Sequence, residues 1–136
     1  MQKATNKVVE LKPQDDREQW EVEWERCKPL IAESMKYQDS YTIDDIEDKI
    51  KHGIALLWPG KETAVVTEFV IFPQIKSINI LCVGGKYEEL EEMLKSIEDY
   101  CKKIGIRRIY GGGRKGWLRK VKHLGYKKEY LISKDL

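Results

Sequence analysis

The sequence has little of what would staple or metallate a small fold. Only three cysteines and two histidines are spread through 136 residues. Cys27, Cys82 and Cys101 are odd in number, widely spaced and set among apolar neighbours. They read as reduced core thiols of a reducing cytoplasm, not as a disulfide framework. There is no CxxC pair or Cys/His cluster, and His52 and His123 lie far apart, so no metal site is expected. No apolar run approaches the roughly 20 residues that cross a bilayer, which argues against a membrane partner. The opening MQKATNKVVELKP lacks the apolar stretch of a secretory signal. No internal repeat, low-complexity tract or interdomain linker is present, so residues 1–136 read as a single domain. A chain of this length can bury a core unaided.

Acid is missing from one long stretch. The net charge is only +2, yet between Lys102 and Lys128 there is no Asp or Glu, while eleven Lys and Arg occur. Just upstream lie Glu88, Glu89, Glu91, Glu92, Glu98 and Asp99. A basic block of this kind implies either an anionic partner or a solvated face. Arg114, Lys115, Arg119, Lys120 and Lys122 could track a phosphate backbone. No nucleic-acid-binding module accompanies them, and the segment keeps an apolar face for a core. Nucleic acid therefore ranks below a cofactor or a protein as the partner.

What is present is a clear succession of periods. Val8, Val9 and Leu11 form a short first strand closed by Pro13. Asp15 or Asp16 can cap a helix whose Trp20, Trp24, Cys27, Ile31 and Met35 share one face, with a kink or break expected at Pro29. Thr42 caps a second helix, Asp45 completing the box and Ile43, Ile46 and Ile50 forming the stripe. Three apolar runs follow with short connections, Ile54–Trp58, Thr63–Phe72 and Ser77–Val83, and predict an antiparallel meander. Leu90, Met93, Leu94, Ile97, Tyr100, Cys101 and Ile104 make a long helix with an acidic start, a Lys102–Lys103 end and Gly105 beyond it. Arg107–Tyr110 is then a strand parallel to Ser77–Val83 through a βαβ crossover. A basic helix and a last strand, Lys128–Ser133, complete a mixed, mostly antiparallel α/β sheet of about six strands flanked by helices.

The segment Ile109–Tyr126 is the most suggestive for binding. Three glycines, Gly111 to Gly113, join a strand to a helix that begins with Arg114 and Lys115. Glycines allow close backbone approach, and helix N-termini attract anions. Arg114 could meet a phosphate or the acidic helix. Trp117 could stack on a ring or pack in the core. On the strand Thr63–Phe72, Glu68 shares a face with Val66, Val70 and Phe72. A carboxylate there is costly unless paired or protonated, and burial would bring it toward the range of a general base; the alternative is a face open to solvent or a Glu68 paired with a nearby Arg. Asn79, between Ser77 and Leu81, could orient substrate or satisfy a neighbouring backbone group.

This order of elements, a meander followed by one βαβ unit, resembles the GNAT (N-acetyltransferase) superfamily over nearly the whole chain. Leu11-Lys12-Pro13-Gln14-Asp15-Asp16 is similar to that family's first strand and helix entry, and Leu124-Gly125-Tyr126 to its closing motif. LWPGKETAVVTEF, then VGG before an acidic helix, then GRKGW and GY, resembles the small GNAT-like proteins of tailed bacteriophages. The resemblance implies acetyl-CoA as cofactor. Its pantetheine would lie on Leu81, Cys82 and Val83, and its pyrophosphate on Gly84, Gly85 and Lys86. The glycine-rich segment, with Arg114 and Trp117, would form the second wall of the cofactor wedge. It implies an amine acceptor, in the cytoplasm of an infected host; Glu68 and Asn79, singled out above from their strand faces, are the candidates for the catalytic roles.

Two positions depart from the family pattern. The loop after Val83 is short and lacks the usual Arg or Gln. Val121 stands where many members place a proton-donating tyrosine. They support the alternative, a non-catalytic GNAT-fold phage protein that acts in the virion or on a host protein.

Overall fold

The computed structural model describes residues 17–112 and 115–136. Helix α1 spans Arg17–Ser34 and buries Trp20, Trp24, Cys27 and Ile31, the face that the three-and-four spacing predicts. It runs unbroken through Pro29, where the sequence predicts a kink or break. Proline forfeits the bond to the carbonyl four residues back, at Glu25. Glu25 and Pro29 are both exposed, so water can take that carbonyl and the buried face holds the helix together. After a 3-10 turn, Met35–Tyr37, helix α2 spans Ile43–Lys51 behind the expected capping box. Thr42 Oγ1 accepts from the Asp45 amide at 3.2 Å, and the Thr42 amide donates to Asp45 Oδ2 at 2.8 Å. Those bonds hold the Asp45 carboxyl below its ordinary range.

Four strands follow the expected runs closely: β1 Ala55–Pro59, β2 Thr63–Ile71, β3 Lys76–Gly85 and β4 Arg108–Gly111. They lie in the order β1-β2-β3-β4. The first two pairings are antiparallel and β3–β4 is parallel. The crossover helix α3 spans Tyr87–Ile104 and ends at Gly105 with φ 83°, a left-handed cap that glycine adopts without strain. Helix α4 spans Lys115–Val121, followed by a 3-10 turn, Lys122–Leu124.

Each face of the sheet carries its own core. On one side α1 and α2 pack on Ala55, Leu57, Ala64 and Val66. On the other, Leu90, Met93, Leu94 and Ile97 of α3 meet Leu56, Trp58, Val65 and Ile78. Every residue of β1 is buried, because helices cover both of its faces. The polar tip of Trp58 is satisfied within the sheet: its indole donates to Thr67 Oγ1 at 3.0 Å.

The count of about six strands is not reached. Among the described residues the sheet has four; the first expected strand, Val8–Leu11, lies outside them. Lys128–Ser133 is described and is not a strand. Its apolar residues Tyr130, Leu131 and Ile132 stand in solvent, so propensity alone gave that segment no partner strand among the described residues.

Candidate functional site

Strands β3 and β4 part company midway. Their pairing runs from Ser77–Arg108 to Ile80–Gly111 and stops. Strand β3 continues through Leu81, Cys82, Val83, Gly84 and Gly85, still paired to β2 but without β4 on its other side. Strand β4 ends at Gly111, and Gly113 lies outside the described residues. The result is a wedge between two parallel strands, opening toward the start of α3.

The two walls are built differently. Leu81 and Cys82 lean on the α1–α2 core and Val83 on the α3 core. Burial, and secondarily Glu68, pushes the Cys82 thiol up to about 12, so it stays protonated at neutral pH. At Gly84 a Cβ would lie 2.0 Å from the Leu30 carbonyl oxygen. At Gly85, with φ 107°, it would lie 2.1 Å from the Glu62 carbonyl oxygen. Both glycines are therefore demanded by packing against α1 and the β1–β2 turn. Gly111 and Gly112, by contrast, have ordinary room for a Cβ.

The start of α3 is tied to that same turn. Lys86 has no side-chain cap of its own; its amide donates to the Glu62 carbonyl at 3.1 Å and its ammonium meets the Glu62 carboxylate at 3.4 Å. Glu89 accepts from the amides of Lys61 and Glu62 at 2.7 and 2.8 Å. Its charge is thereby drawn toward the hairpin. On the second wall, Arg114 lies outside the described residues. Trp117 is half-buried in the α3 core, tilted against Tyr87 with centroids 6.2 Å apart. The Tyr87 hydroxyl donates to the Lys120 carbonyl, and the Lys120 ammonium sits 4.9 Å above the Tyr87 ring. Val121 belongs to the same core.

Glu68 and Asn79 come together. They are directly paired across β2 and β3, and Asn79 is paired with Tyr110 across β3 and β4, so all three project from one face. Asn79 Nδ2 donates to Glu68 Oε2 at 3.2 Å. Lys49, from the last turn of α2, donates to Glu68 Oε1 at 3.2 Å and lies 5.5 Å from the Tyr41 ring. The Glu68 side chain is only 15% exposed, and this ion pair with its second hydrogen bond is what makes a carboxylate tolerable there. Lys49 was not among the sequence candidates: nothing in the α2 pattern distinguishes it from the other lysines of that helix. Beside this group is a shallow groove of about 310 Å³ lined by Val70, Phe72, Asn79 and Tyr110. Phe72 and Tyr110 meet edge to face at 6.0 Å. The sequence signal for it was the alternation on β2 that carries Val70 and Phe72 onto the face of Glu68.

No protein-family model matches the chain, and no curated protein matches it. Solved structures do. A probable acetyltransferase superposes with TM-score 0.65 at 8% identity, covering 85% of this chain and 91% of that one. An acetyltransferase of Trypanosoma brucei gives 0.63 at 10% identity, over 85% and 94%. A predicted acetyltransferase of Clostridium acetobutylicum, in a structure with acetyl-CoA, gives 0.59 at 14%, over 80% and 90%. At these identities the likeness is one of fold: the chain has the GNAT-like fold of acetyltransferases.

Proposed function

We propose that this protein is an acetyl-CoA-dependent N-acetyltransferase acting on an amine. The observation that supports it best is the β3–β4 wedge, which among the described residues leaves one side of Leu81–Gly85 without a strand partner. An extended amide-bearing arm such as pantetheine fits a strand side of that kind, because it can exchange hydrogen bonds with the free backbone groups. Lys86, exposed at the head of an 18-residue helix, can turn from Glu62 toward a phosphate. In this reading Leu81, Cys82 and Val83 hold the pantetheine. Gly84, Gly85 and Lys86 hold the pyrophosphate, and Arg114 and Trp117 close the second wall. Bound acetyl-CoA would supply the activated acetyl thioester.

Glu68 would take the proton that the acceptor amine must lose before its lone pair can attack. Asn79 and Lys49 keep the carboxylate aimed. The groove between Phe72 and Tyr110 would seat the acceptor. Titration of acetyl-CoA should raise the melting temperature, by mass action on the folded state; no rise at millimolar ligand would sink the assignment. Glu68→Gln should abolish transfer while leaving acetyl-CoA binding intact, and full activity in that variant would remove Glu68 as base.

One observation favours a second reading. Val121, where many GNAT enzymes have a proton-donating tyrosine, is part of the α3 core and cannot protonate a leaving thiolate. A non-catalytic GNAT-fold phage protein, in the virion or bound to a host protein in the infected cytoplasm, accounts for it. That reading expects no acetyl-CoA binding and co-purification with phage particles.

A further inference from the structure

Ser77 is a buried polar residue that the fold leaves unsatisfied. Its side chain is fully buried, and its Oγ has no hydrogen-bond partner among the described residues. Buried hydroxyls are nearly always bonded, because an unpaired one gives up its hydration for nothing. Thr63 and Thr67 are buried in the same sheet and obey that rule. Thr63 donates to the Lys86 carbonyl, and Thr67 accepts from the Trp58 indole. Ser77 departs from it beside the candidate site.

The register puts that hydroxyl on the floor of the groove. Ser77 is paired with Val70 on β2 and with Arg108 on β4. It lies two residues from Asn79, so it projects from the face that carries Val70, Asn79 and Tyr110. Those three, with Phe72, line the groove. Phe72 follows β2 and Tyr110 stands on β4, with β3 between them, yet their rings meet edge to face at 6.0 Å. The two rings therefore bridge β3 over Ser77. Arg108 donates to the Tyr110 hydroxyl at 3.1 Å, which fixes that ring as one jaw. Phe72 is 43% exposed, so the other jaw is free to swing to a second rotamer. Glu68, paired with Asn79, is the diagonal neighbour of Ser77 across β2 and β3, at about 7–8 Å between backbones.

We propose that Ser77 determines acceptor specificity: the acceptor is a small amine carried on an aromatic ring, with a neutral hydrogen-bonding group on the far side of the ring that bonds Ser77 Oγ. The ring lies between Phe72 and Tyr110, and the amine lies beside Glu68. The proposal rests on the acetyltransferase reading for the role of the amine alone. Aromatic walls select a ring, because rings stack or meet edge to face with one another. None of the four lining side chains is charged, so the far group is neutral. The Glu68-to-Ser77 diagonal matches the reach of one ring with a short alkyl arm. A groove of about 310 Å³ is at the small end of ligand sites, which suits one such molecule and not a segment of protein.

Tyramine, phenethylamine and hexylamine test this, first as ligands in NMR titrations of the full chain and then as acceptors with acetyl-CoA. Tyramine should bind most tightly. Phenethylamine, which lacks only the bond to Ser77, should bind about tenfold more weakly, and hexylamine more weakly still. Ser77→Ala should bring the tyramine-to-phenethylamine ratio close to one without lowering the melting temperature, since replacing an unpaired buried hydroxyl by a methyl group loses no bond. Phe72→Ala, at an exposed position, should weaken both ring amines alike. Equal binding of the three amines overturns the proposal. So does a lower melting temperature in Ser77→Ala, since the hydroxyl would then be bonded within the protein. Selective binding of tyramine without its acetylation upholds the pocket and removes the acetyltransferase reading. Faster acetylation of hexylamine or of a lysine peptide than of tyramine upholds that reading and overturns the pocket.

Discussion

At the residue scale, the most telling pair is Gly84–Gly85. In the sequence they look like a ligand loop, yet each stands where a single added carbon would strike the backbone of another element. Gly84→Ala should therefore destabilise by about 1–3 kcal/mol, as overpacking of rigid neighbours does. A denaturant melt checks it, and an unchanged midpoint would refute the contact. Gly112→Ala, with open space around it, should cost far less. The thiols give a pH prediction. Burial, the leading cause at each, pushes Cys27 and Cys101 up to about 11 and Cys82 up to about 12, from an ordinary 9.0. The folded state thus holds these protons more tightly than the unfolded state. Their contribution is complete below about pH 9 and is lost as pH rises toward 11–12. Melting temperature measured from pH 7 to 11 should fall above pH 9, and less steeply in Cys82→Ala.

At the element scale, the helices show which local signals suffice. Helix α2 is short, with its apolar stripe and both capping bonds present, so its start depends on Thr42. Thr42→Ala should cost about 1 kcal/mol, as loss of an N-cap does. That corresponds to a drop of roughly 3–5 °C in a thermal scan of a chain this size, and Thr42→Ser should recover most of it. Helix α1 shows the limit of a breaker rule: Pro29 ends a helix only when the orphaned carbonyl has nowhere to go. Helix α4 is seven residues long and is held by Trp117, Val121 and the Tyr87 hydroxyl, not by its own hydrogen bonds. Trp117→Phe should keep that helix docked. Trp117→Ala should loosen it, seen as faster exchange of the amides of residues 117–121 with little change in β1.

At the scale of the whole molecule, stability is concentrated in the meander. Strand β1 is buried along its length and β2 over its first five residues, between two separate cores. Their amides should exchange only through global unfolding, and the amides of β4 should exchange through smaller openings in any state where its edge is unpaired. Hydrogen exchange read against the denaturant-derived stability checks the ranking; equal protection in β1 and β4 of a monomer would contradict it. The wedge lies at the boundary between the well-paired part of β3 and its half-paired end.

The sequence by itself determined the elements that local chemistry controls. Runs of apolar and β-forming residues bounded by proline and glycine placed β1, β2 and β3 within a residue or two, Thr42 and Asp45 marked the start of α2, and Gly105 marked the end of α3. A strand, a long amphipathic helix and a strand required β3 and β4 to be parallel, and the GNAT resemblance put a wedge between them. Glu68 and Asn79 were also legible, as polar residues on an otherwise apolar face. Only the tertiary structure decided what each of these meets. Lys49 reaches Glu68 across 19 positions of chain, Leu30 presses on Gly84, and Tyr110 completes a groove begun on β2. The fate of Tyr130–Ile132 was likewise beyond local reading. Propensity can propose a strand, but a strand exists only where a neighbouring edge takes its hydrogen bonds, and that is a property of the assembled fold.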